Sequence, residues 1–322
     1  MAPLVGAIAV FGHPCRLSRM TLSVYLVHHA CGSQFMNRHG WRIAGGLVGA
    51  AAAGALVDGF AVEPERLETK RLSLGMPDLP QGFDGLRIAQ ISDLHLHERT
   101  SIHTQIIHAV QAEHPHILVI TGDLVDRSSR ADTCAAFVRE LCQAAAAPVF
   151  IVRGNWDHRA FPTRRSIEAW DAELRQAGAH VLMNDSVRLR RRGDSLWLAG
   201  TDDPYFGHAD LDATFKDVPS SGFAVVLTHA PEDFEELAAL PQAQLVLAGH
   251  THGGQVRLPI VGALRVPSRY GTMYAQGLFH IRDTFFYVNA GIGMSHMPIR
   301  FLCRPEFTVL TLRSTLDSVD GA

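Results

Sequence analysis

The sequence of 322 residues lacks several patterns that would place it at once in a functional class. Its five cysteines are odd in number and form no Cys-x-x-Cys pair, which argues against a disulfide framework and a structural zinc ribbon. It has no G-x-x-x-x-G-K-[ST], G-x-S-x-G or H-E-x-x-H motif, which argues against P-loop nucleotide hydrolysis, α/β-hydrolase chemistry and zincin proteolysis. The net charge is near −3 without an extended basic stripe, so we expect no binding to a nucleic-acid backbone.

The longest uncharged apolar run, residues 43–57, has fifteen residues and is short for a membrane span. A bilayer core needs about 20 apolar residues, whereas this length suits the apolar region of a signal peptide. Arg38 and Arg42 precede the run and Asp58 follows it. Because basic residues stay on the cytoplasmic side, the pattern predicts a cytoplasmic-membrane protein with its catalytic domain outside, or an exported one. The alternative is a Gly/Ala-rich helix packed on the domain.

These features predict four regions along the chain. Residues 1–62 form the membrane anchor or signal region, and within it residues 1–35 are either an added membrane segment or untranslated sequence before a true start at Met36. Residues 63–84 are charged and contain three prolines and two glycines, which favours a surface linker. Residues 85–314 are the folded domain, and residues 315–322 are a tail.

Short apolar runs alternate with segments of helical spacing from residue 86 onward. The predicted strands are 86–91, 117–120, 148–152 and 180–183, and the predicted helices between them are 100–113, 132–147 and 166–177. This alternation predicts a parallel sheet covered by helices. Residues 187–200 indicate a hairpin, followed by strands at 224–227, 244–247, 280–289 and 307–312 and a helix at 231–240. We therefore expect a second, more antiparallel sheet.

Side chains that bind metals follow five of the predicted strands. They are Asp93 and His95, then Asp123, then Asn155, then His229, and finally His250 and His252. Open α/β sheets place their sites at the carboxyl ends of strands, so these side chains are expected at one rim. Imidazole is a common metal ligand, and neighbouring glycines let a backbone approach a bound ion. Each motif alone is weak, but their order along the chain indicates a metal site.

The order of these motifs, D-x-H, G-D, G-N, a single His and G-H-x-H, resembles the calcineurin-like metallophosphoesterase superfamily over residues 86–312. The form GHTHGGQ, together with residues 288–291 and 298–305, is similar to the bacterial YaeI/YkuE-type branch. The resemblance implies an α/β fold, a four-layer α/β/β/α sandwich of two mixed sheets with the metal site at strand carboxyl ends. It also implies a phosphoester substrate.

The resemblance further implies two divalent metal ions as cofactors. One would be held by Asp93, His95, Asp123 and His252, and the other by Asp123, Asn155, His229 and His250. Asp123 would bridge the two ions. Mixed oxygen and nitrogen ligands suit Mn, Fe or Zn better than Ca. Two such ions, about 3.5–4 Å apart, can activate water and clamp phosphoryl oxygens.

One position departs from the superfamily pattern. Many relatives have a histidine after Gly-Asn that is credited with protonating the leaving group or holding the phosphate, whereas this chain has Trp156. An indole cannot transfer a proton at neutral pH, so Trp156 is expected to form a wall for an apolar or ring-bearing substrate. His158 is the candidate replacement acid, with a surface or core histidine as the alternative. Asp126 is a second candidate catalytic-site residue, and a structural role is equally compatible.

The sequence therefore predicts a dinuclear-metal phosphoesterase that cleaves a phosphodiester or pyrophosphate bond. Hydrolysis of a pyrophosphate would tolerate the missing histidine because its leaving group needs no protonation. Lipid and nucleotide-lipid pyrophosphates at the membrane are therefore candidate substrates. The alternative is a catalytically weak metal-binding or scaffold protein on the same fold, because Trp156 replaces the usual histidine.

Overall fold

A computed structural model of the protein describes residues 38–315, and the chain divides into two compact units, residues 1–48 and 49–322. The described residues of the first unit belong to helix α1 (Arg38–Val57), which continues into the second. Of the helices that the structure describes, none combines the length and the apolar character needed to cross a bilayer. The two alternatives for residues 1–35, and the expected tail apart from residue 315, lie outside the described residues.

Six strands form the first sheet. Their order across it is β1 (Glu68–Met76), β14 (Glu306–Ser314), β2 (Leu86–Ile91), β3 (Ile117–Thr121), β4 (Val149–Val152) and β5 (His180–Val181). Strands β2 to β5 run parallel to one another, as the alternation of strands and helices predicts. Strand β14 lies antiparallel beside β2 and carries β1 as a parallel edge strand.

Six further strands form the second sheet. Their order is β12 (Gly277–Ile281), β13 (Thr284–Val288), β9 (Ala243–Ala248), β8 (Ala224–Leu227), β7 (Asp194–Gly200) and β6 (Asp185–Arg191). The predicted hairpin is present as β6 and β7. This sheet is more antiparallel than the first, as expected, because both of its edge strands pair antiparallel, although its inner strands β7, β8, β9 and β13 are parallel. These inner strands are mostly apolar because both faces of the sheet are covered.

Helices cover the outer face of each sheet and give the four layers. Apolar side chains of α2 (Ser101–Glu113), α3 (Ala131–Ala145) and α5 (Arg164–Gln176) pack on the first sheet. The second sheet is covered in part by α6 (Leu211–Phe215) and α7 (Phe234–Leu237). The predicted helix 231–240 is shorter than expected, since it consists of a 3-10 turn followed by α7. The two mixed sheets and their helices confirm the sandwich that the resemblance implies.

Alternate residues of one strand pack in different layers of the core. In β3, Leu118 and Ile120 face the helices, whereas Val119 faces the second sheet. Successive side chains of a strand point to opposite faces, so a buried strand needs apolar residues at every position. The core between the sheets contains Leu198 and Leu247 from the opposite side. Burial on both faces fixes the register of these strands and hence the position of their carboxyl ends.

The segment expected to be a linker is part of the folded domain. Residues 68–76 form β1, which pairs with β14 along its whole length. Leu74 and Met76 alternate toward the core between the sheets, with Leu72 packed against it. The prediction failed because Arg71, on the exposed face, and Lys70, which pairs with the buried Glu306, hide this alternation in a count of charges.

The turns before β1 are also anchored to the domain. The backbone carbonyl of Gly59 accepts a hydrogen bond from the Arg300 amide at 2.9 Å. The buried Glu63 carboxylate accepts hydrogen bonds from the backbone amides of Leu302, at 2.9 Å, and of Cys303. A buried amide that loses its acceptor must be desolvated without compensation. Glu63 therefore fixes the loop before β14 from a distant part of the sequence.

We expect Glu63→Ala to lower the free energy of unfolding by about 2 kcal/mol, because it leaves the buried Cys303 amide without an acceptor. Urea denaturation of the full chain measures this change. The matched control is Glu68→Ala, since Glu68 is exposed at the start of β1. Equal unfolding free energies for the two variants would contradict the anchoring role of Glu63.

Candidate metal centre

The carboxyl ends of five parallel strands meet at one rim. Asp93 and His95 follow β2, Asp123 follows β3, and Asn155 follows β4 in the first sheet. In the second sheet, His229 follows β8 and the pair His250 and His252 follows β9. All seven side chains are buried, and the structure brings all of them together.

The seven residues form two groups that share one carboxylate. The first group is Asp93, His95, Asp123 and His252, and the second contains Asp123, His229 and His250. Within each group, one ligand atom per residue lies within 4.8 Å of every other. Asn155 joins the second group, because its Oδ1 lies 3.1 Å from Nε2 of His229. This division is the one that the resemblance implies.

The Asp123 carboxylate lies between the two groups. Its Oδ2 is 3.5 Å from Nε2 of His95 and 3.4 Å from Nε2 of His229, and it accepts no hydrogen bond. Its Oδ1 accepts a hydrogen bond from the Trp156 amide at 2.7 Å, which fixes the plane of the carboxylate. A buried carboxylate oxygen without a donor, placed between two imidazole nitrogens, has the position of a bridging ligand.

The backbone turns sharply at most of these residues. Positive φ angles occur at five of them, Asp93 (52°), His95 (41°), Asp123 (52°), His250 (70°) and His252 (52°). Non-glycine residues rarely adopt this left-handed region, and such conformations cluster at functional sites. The backbone at this rim is therefore shaped by the site rather than by local propensity.

Two glycines let the loops approach closely enough for the groups to meet. A Cβ at Gly249 would clash with the Ser92 hydroxyl and with Asp93, and a Cβ at Gly154 would clash with Asp123. The approach allows the His250 amide to donate to both oxygens of Asp93, at 3.0 and 3.1 Å. Glycine is thus required at these positions because there is no space for a side chain.

Imidazole nitrogens face one another across the site. The Nε2 atoms of His95 and His252 are 3.2 Å apart, and Nε2 of His229 is 3.1 Å from Nδ1 of His250. Burial lowers the pKa of His95 to about 4 and that of His250 to about 3, so both imidazoles are neutral at pH 7. Neutral imidazoles offer lone pairs, which are the form that binds metals. Backbone carbonyls of Thr121 and Pro267 orient His229 and His250 through their other nitrogens.

The carboxylates lie in an environment that favours a cation. Burial raises the pKa of the Asp93 carboxyl to about 7. Burial also opposes charge on Asp123, but the adjacent His229 lowers the pKa of that carboxyl below its ordinary value. Bound divalent cations would stabilise both carboxylates and satisfy the buried Asp123 Oδ2. The donor set therefore fits two divalent ions with mixed oxygen and nitrogen ligands.

Trp156 borders the site without contributing a ligand. Its ring meets His95 edge-on at 6.0 Å between centroids and His296 at 5.6 Å. The Arg159 guanidinium lies over the indole at 4.7 Å from its centroid. This position agrees with the expected role of Trp156 as a wall of the site.

The two candidate catalytic residues lie in different surroundings. The Nε2 of His158 is 2.8 Å from Oδ1 of Asp202, which also pairs with Arg153. Asp126 accepts a hydrogen bond from the Ser128 amide at 2.8 Å, and its Oδ2 lies 2.7 Å from Nε2 of His97. Asp126 borders a cavity of about 470 Å³ that His95 also lines, whereas His158 borders a separate depression beside Phe206 and His208. A catalytic role for either residue stays a prediction.

Sequence reasoning missed His296, which lies with Arg300 in the loop after β13. His296 is exposed and has a φ of 62°. The fully buried Arg300 donates to carbonyls of Ala290, Gly291, Gly293 and Cys303 and so holds the loop in place. Gly293 in turn donates to the Asp93 carbonyl at 2.7 Å. The rule that sites follow strand ends, applied to β13, would have indicated this loop.

The fold and the donor set define a metal-dependent phosphohydrolase. The chain belongs to the calcineurin-like phosphoesterase family, whose model matches residues 86–254. It is 33% identical over 281 residues to the uncharacterized metallophosphoesterase YkuE of Bacillus subtilis, covering 84% of this chain and 96% of that protein. It is 31% identical over 201 residues to the phosphodiesterase YaeI of Escherichia coli, covering 62% of this chain and 70% of YaeI.

A further relative is the UDP-2,3-diacylglucosamine pyrophosphatase LpxG of Chlamydia trachomatis. It is 26% identical over 302 residues, which cover 77% of this chain and 90% of LpxG. The named activities of LpxG and YaeI are both phosphohydrolase activities. These relatives support the prediction of an enzyme over the alternative of a catalytically weak scaffold protein.

We expect Asp123→Asn to lose more bound metal than His95→Asn, because Asp123 lies in both ligand groups and carries negative charge. Elemental analysis of the purified full chain measures metal per protein. Asp126→Asn is the matched control, since Asp126 lies outside both groups, and it should keep its metal. Retention of two metals per chain in Asp123→Asn would rule out the bridging position.

Proposed function

We propose that the protein hydrolyses a phosphodiester or pyrophosphate bond with two divalent metal ions, of Mn, Fe or Zn. The observation that carries this proposal is the Asp123 Oδ2, buried between the two imidazole groups without a hydrogen-bond donor. We assign Asp93, His95, Asp123 and His252 to one ion, and Asp123, Asn155, His229 and His250 to the other. The ions would supply an activated water and charge stabilisation at the phosphoryl oxygens.

The backbone and side chains of the protein position the candidate ligands and exclude water from the site. The Trp156 amide holds the Asp123 carboxylate, and the Asp157 carboxylate accepts from the Gly154 amide at 2.9 Å, which fixes the turn that presents Asn155. The Trp156 ring forms a wall beside His95. These contacts support a binding mode in which a phosphoryl group would lie over the candidate ligand side chains, with its leaving group toward one of the cavities on either side.

The structure favours His296 over His158 as the proton donor to the leaving group. His296 lines both the cavity of about 470 Å³ beside His95 and a second cavity of about 570 Å³ beside His252. The Nε2 of His158 is instead engaged by Asp202. An imidazole can donate a proton near neutral pH, and its contact with Trp156 places His296 beside the position where relatives have a histidine. His158 remains the alternative donor.

We first expect the Mn-loaded protein to turn over a nitrophenyl phosphodiester. In His296→Gln, hydrolysis of an alkyl ester should fall more than hydrolysis of the nitrophenyl ester, because nitrophenolate leaves without a proton. General-acid help contributes about 10²–10⁴-fold in rate. Comparison of kcat/KM for the two esters measures the effect. If protein that carries two metal ions per chain shows no turnover, the proposed activity is refuted.

His158→Gln is the matched control and should change both esters equally. A selective loss of alkyl-ester hydrolysis in His158→Gln, with His296→Gln unaffected, would assign the proton to His158 instead. The double variant Trp156→His with His296→Gln should recover part of the alkyl-ester rate, because it restores an imidazole at the position that relatives use. A structural defect at residue 296 would not be repaired in this way.

We also propose that the protein works at the outer side of the cytoplasmic membrane, held there by residues 1–62 or exported through them. The uncharged run 43–57 and the preceding Arg38 and Arg42 support this location. A substrate with a lipid portion would then meet the enzyme at the surface of the bilayer. LpxG, whose name describes a pyrophosphatase of a diacylated sugar nucleotide, motivates this substrate class.

A reporter enzyme that is active only outside the cytoplasm should be active when fused after Glu68. The positively charged residues before the apolar run retain the amino terminus on the cytoplasmic side, so the fusion point is exported. Reporter activity in whole cells measures the orientation, and replacement of Arg38 and Arg42 by Glu is the control that should reduce it. Activity of only a cytoplasmic reporter at the same point would refute the proposed location.

A further inference from the structure

A small hairpin beside the metal centre exposes large apolar side chains. Strands β10 (Arg257–Leu258) and β11 (Gly262–Ala263) pair antiparallel just after the His250 and His252 loop. Leu258, Ile260, Val261 and Leu264 are all exposed on or next to this hairpin, and Ile260 is exposed completely. Single exposed apolar residues are ordinary, but a contiguous group of them indicates an interaction site.

The tip of the hairpin is strained as well as apolar. Ile260 has a φ of 71°, which is unusual for a β-branched side chain. Asparagine or glycine would fit this conformation with less strain. Because the Ile260 side chain is fully exposed, packing within the described chain does not compensate for the strain. An apolar partner outside the chain would explain why isoleucine stands at this position.

The segment that contains the hairpin has arginines but no carboxylates of its own, and one of these arginines, Arg269, pairs with Glu236 from outside the segment. No aspartate or glutamate lies between Glu236 and Asp283, although the whole chain has a net charge of −3. The same segment contains four arginines, Arg257, Arg265, Arg269 and Arg282. Arg257 and Arg265 flank the hairpin, and Arg265 is exposed. Apolar side chains beside arginines are the composition that binds an anionic lipid surface.

An apolar cavity connects this region with the metal centre. The cavity has a volume of about 570 Å³, and its walls include Val256, Leu264, Val266 and Met297. His252, one of the proposed metal ligands, also lines it. On the other side of the ligand cluster, the cavity beside His95 is lined by His97, Glu98 and Asp126 among others and is more polar. A substrate with a lipid tail and a polar head would match the two cavities.

We propose that the hairpin, residues 257–264, inserts into an anionic lipid surface and delivers the lipid tail of the substrate to the cavity beside His252. This inference rests on the proposed function for its substrate, a phosphodiester or pyrophosphate that links a lipid to a polar group. The docking itself is independent of catalysis. Leu264 belongs both to the exposed group and to the cavity wall, so the lipid surface and the cavity are continuous.

Photocrosslinking of the full chain tests which partner covers the hairpin. Benzoylphenylalanine replaces Ile260 in one protein and Leu278 in the control, because Leu278 is exposed on β12, which belongs to the second sheet and not to the hairpin. The vesicles contain phosphatidylglycerol and labelled phosphatidylcholine. We expect lipid adducts at position 260 several-fold above those at position 278. Adducts to a second chain or within the same chain, or equal lipid labelling at both positions, would overturn the proposal.

A second variant separates docking from folding and from catalysis. Ile260→Asn relieves the left-handed strain, so the midpoint of thermal unfolding should stay the same or rise. Its rate on a lipid-linked phosphodiester in anionic vesicles should fall on the order of tenfold, because the apolar anchor is lost. Its rate on a soluble nitrophenyl phosphodiester should not change, and Leu278→Asn should change neither rate.

An unchanged rate of Ile260→Asn on vesicles would overturn docking through the hairpin while leaving the proposed phosphoesterase intact. The absence of turnover on both substrates in the unmodified protein would refute the phosphoesterase, and the crosslinking result would still decide the docking. The two proposals therefore fail in distinguishable ways.

Discussion

The metal centre depends on the close approach of two backbones, one at the carboxyl end of each sheet. Asp93 follows a strand of the first sheet and His250 follows a strand of the second, and the His250 amide donates to both Asp93 oxygens. This contact is possible because a side chain at Gly249 would collide with Ser92 and Asp93. The packing of the two sheets therefore sets the distance between the ligand groups. The left-handed backbone of the ligand residues is the local strain that this approach imposes.

Two buried charged residues, Arg300 and Glu63, hold the loop after β13 beside the metal centre. The Arg300 guanidinium donates hydrogen bonds to backbone carbonyls of this loop, and the Glu63 carboxylate accepts hydrogen bonds from its backbone amides. A buried charge is stable when its hydrogen-bonding capacity is satisfied, and each of these groups is satisfied by main-chain partners. The loop is thus fixed by residues remote in sequence from the ligands. Its position determines where His296 and Met297 stand relative to the two cavities.

The sequence predicts the parts of the fold that depend on local periodicity and strand ends. Strands 86–91 and 224–227 agree with the structure to the residue, and the seven candidate ligand residues lie together as expected. It does not predict the parts that depend on distant contacts. The strand at 68–76 exists because β14 offers it an edge, and the charged residues at its start conceal it. His296 contacts Trp156, and the loop that carries His296 is held by hydrogen bonds from Arg300 to its backbone. No spacing of residues along the chain predicts these contacts.

At residue 156 the main chain and the side chain have separate tasks. The amide holds the Asp123 carboxylate, a task that any residue other than proline can perform, while the indole lies against His95, His296 and Arg159 at the border of the site. Exchange of this side chain can therefore leave the shared carboxylate in place. A different side chain at this position would alter the wall of the site, and with it the shape offered to a substrate, without removing the main-chain contact to Asp123.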